Sequence, residues 1–155
     1  MLHRHLPEKE RADLLRWLKG DEIAADAIAQ AIAISHVWDD LIDRDREPSV
    51  AEINNAFRYA LVGLPRNPFW RQHQDEFSLL LEHAILDWHT SNALTGYNMP
   101  AAFVLRCSAA SLIIRAAAIV GGFEWARQVS TEIRATHLDD YARFCAEHGE
   151  KNGLD

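Results

Sequence analysis

Glycine and proline are scarce in this sequence, with 7 and 5 residues in a chain of 155. Between these sparse positions the apolar residues recur with the period of a helix rather than in strand-like alternation. The pattern therefore predicts an all-α fold, a compact bundle of about six helices that are mostly antiparallel, up and down. The length suits one helical domain, residues 1–155, with a polar flexible tail at 149–155.

The few glycines and prolines also set the expected helix bounds. Proline favours the first turn of a helix, and glycine commonly follows the last. The predicted helices run from Pro7 to Lys19, from Asp21 to Arg44, from Pro48 to Gly63, from Phe69 to Ala93, from Pro100 to the glycine pair at 121 and 122, and from Glu124 to His148.

Cysteine is nearly absent, and Cys107 and Cys145 stand far apart with no C-x-x-C pair. This excludes a disulfide framework, and we expect both residues to be reduced thiols in the core. The first 20 residues carry charges throughout and lack the apolar segment of a secretory signal. We therefore expect a cytoplasmic protein.

Positive charge is also in short supply, since the formal net charge is −7. An acidic surface argues against a general binder of nucleic acid or of anionic membranes, because it offers them no counter-ion release. The most apolar run, residues 101–120, contains Arg106 and Arg115. Two arginines inside the run favour a buried helix over a membrane span.

Several catalytic motifs are missing as well. The sequence has no glycine-rich phosphate loop of the Walker or Rossmann type, no Gly-x-Ser-x-Gly elbow and no His-Glu-x-x-His zinc helix. Each of these motifs would indicate a specific reaction or ligand and the loop or helix that carries it. Any active site must therefore be built from other residues.

An acidic stripe on the second helix is the main candidate. Four residues at spacings of i, i+3, i+4 and i+7 share an arc of about 100°: His36, Asp39, Asp40 and Asp43. The same face is apolar upstream, so the acids extend a core-like face. Carboxylates this close repel one another, and a divalent cation, Mg²⁺ or alternatively Mn²⁺, would relieve the repulsion. The competing interpretation is a solvated helix end, in which Asp43 and Asp39 pair with Arg44 or Arg46.

The segment Asp39-Asp40-Leu41-Ile42-Asp43 resembles the aspartate-rich DDxxD motif of class I isoprenoid synthases, the polyprenyl and terpene synthases. The resemblance implies an all-α bundle in which Asp39 and Asp43 hold Mg²⁺ ions that bind a prenyl diphosphate, with Asp40 as an accessory acid. That family also carries a second metal motif on a later helix. The nearest second box here is Asp139-Asp140-Tyr141-Ala142-Arg143, which ends in a base rather than an acid.

The fourth helix offers an opposing wall, because Glu76, His83, Asp87 and Thr90 lie on one side of it. The His-x-x-x-Asp spacing of His83 and Asp87 repeats that of His36 and Asp40, which is consistent with a site shared by two helices. Asp40, His83 and Asp87 are therefore candidate catalytic residues. The alternative is that His83 and Asp87 hydrogen-bond to each other in a partly buried helix.

Arg115 and His36 are the candidate substrate-binding residues. A buried Arg115 must find an anion, because an unpaired guanidinium in the core would be costly. Its partner is predicted to be Asp40, Asp87 or a diphosphate group. A structural ion pair is the alternative to the diphosphate clamp.

Three functions are compatible with these patterns. The leading one is Mg²⁺-dependent binding or turnover of a small molecule that contains a diphosphate. The second is an all-α nucleotide pyrophosphohydrolase, whose acidic box the stripe imitates, although the Glu-x-x-Asp pattern of that family occurs only upstream, from Glu10 to Asp13. The third is a non-catalytic bundle for self-assembly or partner binding, and surplus apolar surface would be consistent with a homodimer.

Overall fold

The structure, a computed structural model, describes residues 7–44, 46–94, 96–137 and 141–149. Every regular element in these residues is helical, which confirms the predicted all-α bundle. The α-helices are α1 Pro7–Trp17, α2 Glu22–Asp43, α3 Val50–Arg58, α4 Leu64–Arg66, α5 Pro68–Gln72, α6 Gln74–Ala93, α7 Met99–Arg106, α8 Ala110–His137 and α9 Tyr141–Gly149. A π-helical segment, Tyr59–Gly63, follows α3, and a 3₁₀ turn, Gly96–Asn98, precedes α7. The predicted tail lies outside the described residues, apart from Gly149.

Helix α2 carries the acidic stripe, and its ends agree with the predicted Asp21 and Arg44. Asp21 caps the N-terminus, because its side chain accepts a hydrogen bond from the Ala24 N–H at 2.9 Å. At the other end Arg44 adopts a left-handed conformation with φ 56°, and its N–H donates to the Asp40 carbonyl oxygen at 3.0 Å. No glycine or proline interrupts the helix. The stripe therefore lies on one continuous face.

The predicted third and fourth helices are each divided. The third begins at Val50, after a Ser49 capping box, and continues as the π-helical segment from Tyr59. The fourth is broken at His73, whose φ of −118° and ψ of 19° lie outside the helical region. No glycine or proline marks either change. The positions of glycine and proline therefore could not predict these two changes.

The predicted fifth and sixth helices are divided at other points than expected. Helix α7 ends at Arg106, and turns at residues 107–109 separate it from α8. Helix α8 then runs past the predicted glycine stop, where Gly122, with φ 82° and ψ 172°, makes a kink between two helical halves. Glycine adopts this backbone region readily because it has no Cβ. The break after Arg106 matters most, since that side chain reaches α2.

The core lies where α2 packs against α1 and α8, and where α6 packs against α8. Alanines on α2, such as Ala24 and Ala31, are buried and allow close helix packing. Larger side chains fill the remaining space: Leu14, Leu18, Ile28, Phe77, Leu112, Ile113 and Ile133. The face of α2 turns from this apolar core to polar residues only in its C-terminal half.

The segment Gly96–Thr136 is long and apolar enough to cross a membrane, judged by length and composition alone, with a mean hydropathy of 1.8 in its window of 18 residues. The core helix of a soluble protein passes the same test. In this structure 39% of that window is buried, and Leu112 and Ile113 belong to the core. The absence of a membrane span stays a prediction.

Several large apolar side chains remain on the surface. Val50, Phe57 and Leu61, on α3 and the π-helical segment after it, are 74%, 61% and 72% exposed. Exposed apolar surface of this kind is typical of interaction sites. The homodimer that it favours stays a prediction.

Candidate functional site

The acidic stripe of α2 is largely buried. His36, Asp39 and Asp40 are 9%, 6% and 2% exposed, and the Asp43 side chain is 14% exposed. The apolar face of α2 therefore continues into the stripe, as the spacing predicts. A solvated helix end does not describe Asp39 or Asp40, because both carboxylates lie inside the bundle.

Arg106, at the end of α7, is the counter-ion of Asp39 and Asp43. Its Nη2 donates to Asp39 Oδ1 at 3.3 Å and also to Asp43 Oδ2. Its Nη1 donates to Asn92 Oδ1 on α6. The Arg106 side chain is only 4% exposed, so little water screens these contacts. The cluster of Asp39, Asp43, Asn92 and Arg106 thus connects α2, α6 and α7.

Asp40 pairs with a different arginine, Arg46, whereas the solvated-end alternative assigned Arg44 or Arg46 to Asp39 and Asp43. Arg46 Nη2 donates to Asp40 Oδ2 at 2.7 Å and to Glu52 Oε1 at 2.8 Å. Glu52 also accepts the Ser49 N–H at 2.8 Å within the capping box of α3. These hydrogen bonds, from Arg46 first and then from Ser49, lower the pKa of Glu52 to about 2. This chain of contacts ties the end of α2 to the start of α3.

The two oxygens of Asp39 have different surroundings. Oδ1 accepts the Trp88 Nε1–H at 2.6 Å as well as the contact from Arg106. Oδ2 is buried and has no hydrogen-bond partner within the described part of the chain. Burial raises the pKa of Asp39, although the positive charges of the chain's N-terminus and of Arg106, and the Trp88 hydrogen bond, favour its charged form.

A cavity of about 230 Å³ opens beside Asp39, between α2 and α6. Its lining is almost wholly apolar, with Asp39, His36 and Arg106 among the few polar residues. Trp38 and Trp88 form an aromatic wall, and their ring centroids are 5.5 Å apart. Aliphatic side chains complete the lining, among them Ile34, Leu81, Ala84 and Ile85. The arrangement can bury a small apolar body beside a carboxylate.

The carboxylates as arranged do not fit a Mg²⁺ site. In residues 7–44, 46–94, 96–137 and 141–149, no group of three or more His, Cys, Asp or Glu side chains is placed to hold a metal ion. Mg²⁺ requires near-octahedral coordination by oxygen. Asp39 and Asp43 already accept hydrogen bonds from Arg106, so that guanidinium would have to leave before they could bind a cation.

Comparison with known proteins does not place this site in a family. No protein-family model, curated protein or solved structure matches the chain. The likeness to an aspartate-rich diphosphate motif therefore depends on the five residues from Asp39 to Asp43. The chemistry of the site has to follow from its own contacts.

The predicted catalytic pair on α6 lies away from the cavity. His83 is exposed, and Asp87 is half-buried. Asp87 accepts a hydrogen bond from the Ser108 hydroxyl, in the turn between α7 and α8. Neither residue lines the cavity beside Asp39. The structure therefore does not bring His83 and Asp87 together with Asp39 at one pocket.

Arg115 is also placed elsewhere than predicted. Its side chain is 46% exposed and pairs with Glu76 on α6, rather than with Asp40 or Asp87. The prediction that Arg115 pairs with Asp40 or Asp87 is therefore wrong. Arg115 lies on the face of α8 that is exposed to water, so its guanidinium does not need a buried anion. An exposed pair of this kind contributes little to stability.

The later acidic box cannot be compared with the first one. Asp139 and Asp140 lie outside the described residues, and the description resumes at Tyr141. The second metal motif that the resemblance implies therefore stays a prediction.

The residues that complete the site were missed or only partly recognised in the sequence. In the sequence Arg106 stands out only as a charge in an apolar run, and Trp88 and Asn92 belong to no motif. A guanidinium in a segment otherwise suited to the core is itself a signal that an acid must lie nearby. Arg106 and Arg115 give the same signal, and only the fold distinguishes the buried one from the exposed one.

Proposed function

We propose that this protein binds a small, mainly apolar molecule in the cavity between α2 and α6 and receives its polar group at Asp39. One observation carries the proposal: a cavity of about 230 Å³ has apolar walls and is lined by a buried carboxylate, Asp39, one oxygen of which, Oδ2, has no hydrogen-bond partner among the described residues. Small-molecule sites commonly combine apolar walls with a few well-placed polar groups. Such a site needs no metal ion and no reaction.

The volume of the cavity sets the size of the ligand. Pockets for drug-sized molecules occupy about 300–1,000 Å³. The present cavity is smaller, at about 230 Å³, so it suits a compact molecule. Apolar cavities of comparable size can remain dry and bind molecules such as benzene. A single aromatic ring with one short polar substituent is therefore a suitable probe.

Titration with benzyl alcohol tests the proposal, with tryptophan fluorescence and the melting temperature as readouts. Binding should change the emission of Trp38 and Trp88, which line the cavity, and should raise Tm. Ala84→Phe should abolish both responses, because Ala84 lines the cavity and the larger ring would fill it. Ala93→Phe is the matched control, since Ala93 is exposed on the same helix.

Two results would contradict the proposal. One is the absence of any response in the parent protein up to the solubility limit of the probe. The other is an unchanged response in Ala84→Phe, which would place the ligand elsewhere.

The functions suggested by the sequence stay predictions beside this proposal. They are Mg²⁺-dependent diphosphate chemistry, nucleotide pyrophosphohydrolysis and non-catalytic assembly. A rise in Tm with Mg²⁺ or Mn²⁺ that the double variant Asp39→Ala, Asp43→Ala removes would favour the metal-dependent functions. The ligand proposal instead predicts a response to an organic molecule without added metal.

A further inference from the structure

We propose that the exposed side of residues 50–66 docks on an anionic lipid membrane. Its apolar side chains would enter the boundary between headgroups and acyl chains, and the arginines beside them would contact the headgroups. We call this surface the outer face, and its exposed residues are Val50, Phe57, Arg58, Leu61, Val62, Pro65 and Arg66. The proposal concerns a surface other than the ligand cavity and goes beyond the function proposed above.

Residues 50–66 form one continuous helical segment. Helix α3, the π-helical segment and α4 follow one another directly, and Arg58 and Leu64 at the two junctions have helical backbone angles. Ala56 and Leu64, eight residues apart, are buried, and α3 and the π-helical segment contact α2. Residues spaced by four and eight share one side of a helix, so this side packs on the bundle and the outer face points away from it.

Two neighbouring stripes run along the outer face. One stripe is apolar, with residues spaced by four: Phe57, Leu61 and Pro65. The other stripe lies one residue further along the chain and is mainly basic: Arg58, Val62 and Arg66. All six side chains are exposed. An apolar stripe next to a basic one is typical of helices that lie in the interface of a membrane.

The local charge of this region is opposite to that of the whole chain. Residues 53–74 contain Arg58, Arg66 and Arg71 but no aspartate or glutamate, although the formal net charge of the chain is −7. Within the part of the chain that the structure describes, no carboxylate forms an ion pair with these three arginines. Four exposed arginines elsewhere do have acidic partners: Arg11, Arg16, Arg115 and Arg127. The arginines of the outer face are therefore available to external anions.

The negative charge of the rest of the chain does not cancel this attraction. At physiological ionic strength, charges exposed to water are largely screened beyond a Debye length of about 8 Å. A membrane in contact with the outer face therefore responds mainly to the arginines on that face. The overall acidity instead disfavours other orientations of the protein on the same membrane.

A lipid surface fits the outer face better than a protein partner does. Its apolar side chains protrude from a single helix, whereas a peptide helix is commonly bound in a groove. A second copy of the chain would bring its own Arg58 and Arg66 to the contact, and residues 53–66 contain no acid to pair with them. Charge therefore disfavours a homodimer through this face, although its apolar side chains alone are consistent with one.

Sedimentation with lipid vesicles tests the proposal. We expect the protein to bind vesicles of two parts phosphatidylcholine and one part phosphatidylserine at least ten times more tightly than vesicles of phosphatidylcholine alone. Added salt should weaken this binding, because it screens the arginines. No binding to the mixed vesicles, or equal binding to both kinds of vesicle, would overturn the proposal.

Two double variants remove the two stripes separately. Phe57→Ser with Leu61→Ser removes apolar side chains, and Arg58→Gln with Arg66→Gln removes two positive charges. We expect each double variant to weaken binding to the mixed vesicles at least fivefold. Matched controls change exposed residues of the same types elsewhere and should bind like the parent: Leu79→Ser with Leu86→Ser, and Arg11→Gln with Arg127→Gln.

The outcomes separate membrane docking from other uses of the outer face. Equal losses in the outer-face variants and in their controls would overturn the proposal, and a loss in the arginine variant alone would overturn insertion of the apolar side chains. A parent dimer that Phe57→Ser with Leu61→Ser dissociates, measured by sedimentation velocity without lipid, would assign the face to a second copy. Circular dichroism verifies folding, and if the serine variant does not fold, the arginine variant still decides.

Discussion

Arg106 Nη2 lies 3.3 Å from Asp39 Oδ1, although 67 residues separate the two in sequence. This contact places the positive charge of α7 against the acidic stripe of α2. It gives Asp39 and Asp43 a positively charged side chain as a partner. The stability of the protein should depend on this contact.

Arg106→Met should destabilise the protein strongly. The substitution keeps much of the side-chain volume but removes the guanidinium that pairs with the buried Asp39 and the half-buried Asp43. Removing one partner of a buried ion pair typically costs about 3–5 kcal/mol. Urea unfolding of the parent and the variant at pH 7 measures the difference.

Arg115→Met is the control for that experiment, because it removes the same side chain from the exposed pair with Glu76. We expect the stability of this variant to stay close to that of the parent. Similar losses in Arg106→Met and Arg115→Met would show that burial of the Arg106 cluster contributes nothing specific.

Arg106→Met should also gain a response to Mg²⁺. In the parent protein the guanidinium competes with any cation for Asp39 and Asp43, so we expect millimolar Mg²⁺ to leave Tm unchanged. In the variant the two carboxylates lose that competitor, and Mg²⁺ should raise Tm. Thermal unfolding with Mg²⁺ and with EDTA measures both. A Mg²⁺-dependent rise in the parent that is lost in Arg106→Met would refute this prediction.

Glu52→Gln should change how stability depends on pH. The pKa of Glu52 is lowered to about 2 by hydrogen bonds from Arg46 and Ser49. A lowered pKa in the folded state means that the charged form stabilises the fold above the unfolded pKa, about 4.3. This contribution is lost as the pH falls towards 2. The variant should therefore be less stable than the parent at pH 6, with the difference shrinking below pH 4.

Urea unfolding at several pH values between 2.5 and 7 checks this prediction for Glu52. Glu47→Gln serves as the control, because Glu47 is an exposed neighbour outside the capping box. A difference between the parent and Glu52→Gln that is the same at every pH would rule out the charged contact with Arg46 as its cause.

Gly122→Ala should destabilise α8 although no atom would obstruct the added Cβ. Gly122 has φ 82° and ψ 172°, and nothing lies within 4 Å of a Cβ built there. This backbone region is essentially confined to glycine, and other residues held in sparsely populated regions cost about 1–3 kcal/mol each. Thermal unfolding should show the loss. Phe123→Ala, at a side chain that is 80% exposed, should leave Tm nearly unchanged, and a Gly122→Ala variant as stable as the parent would mean that the kink is not required.

Local signals account for the parts of the fold that were predicted correctly. Helix α2 has Asp21 as its cap, an uninterrupted helical pattern and a left-handed residue, Arg44, at its end. Such signals act within a few residues, so a reading of the sequence can find them. The breaks at His73 and after Arg106 have no glycine or proline to announce them, and they were missed.

The amino-acid sequence by itself determined that the chain is helical and that His36, Asp39, Asp40 and Asp43 share one face of α2. Helical periodicity is a local property, and it survives in the folded protein. Tertiary structure alone decided that Arg106 is buried against Asp39 while Arg115 faces water with Glu76. The reason is that the phase and ends of α7 and α8 depend on packing across the bundle, which no short stretch of sequence records.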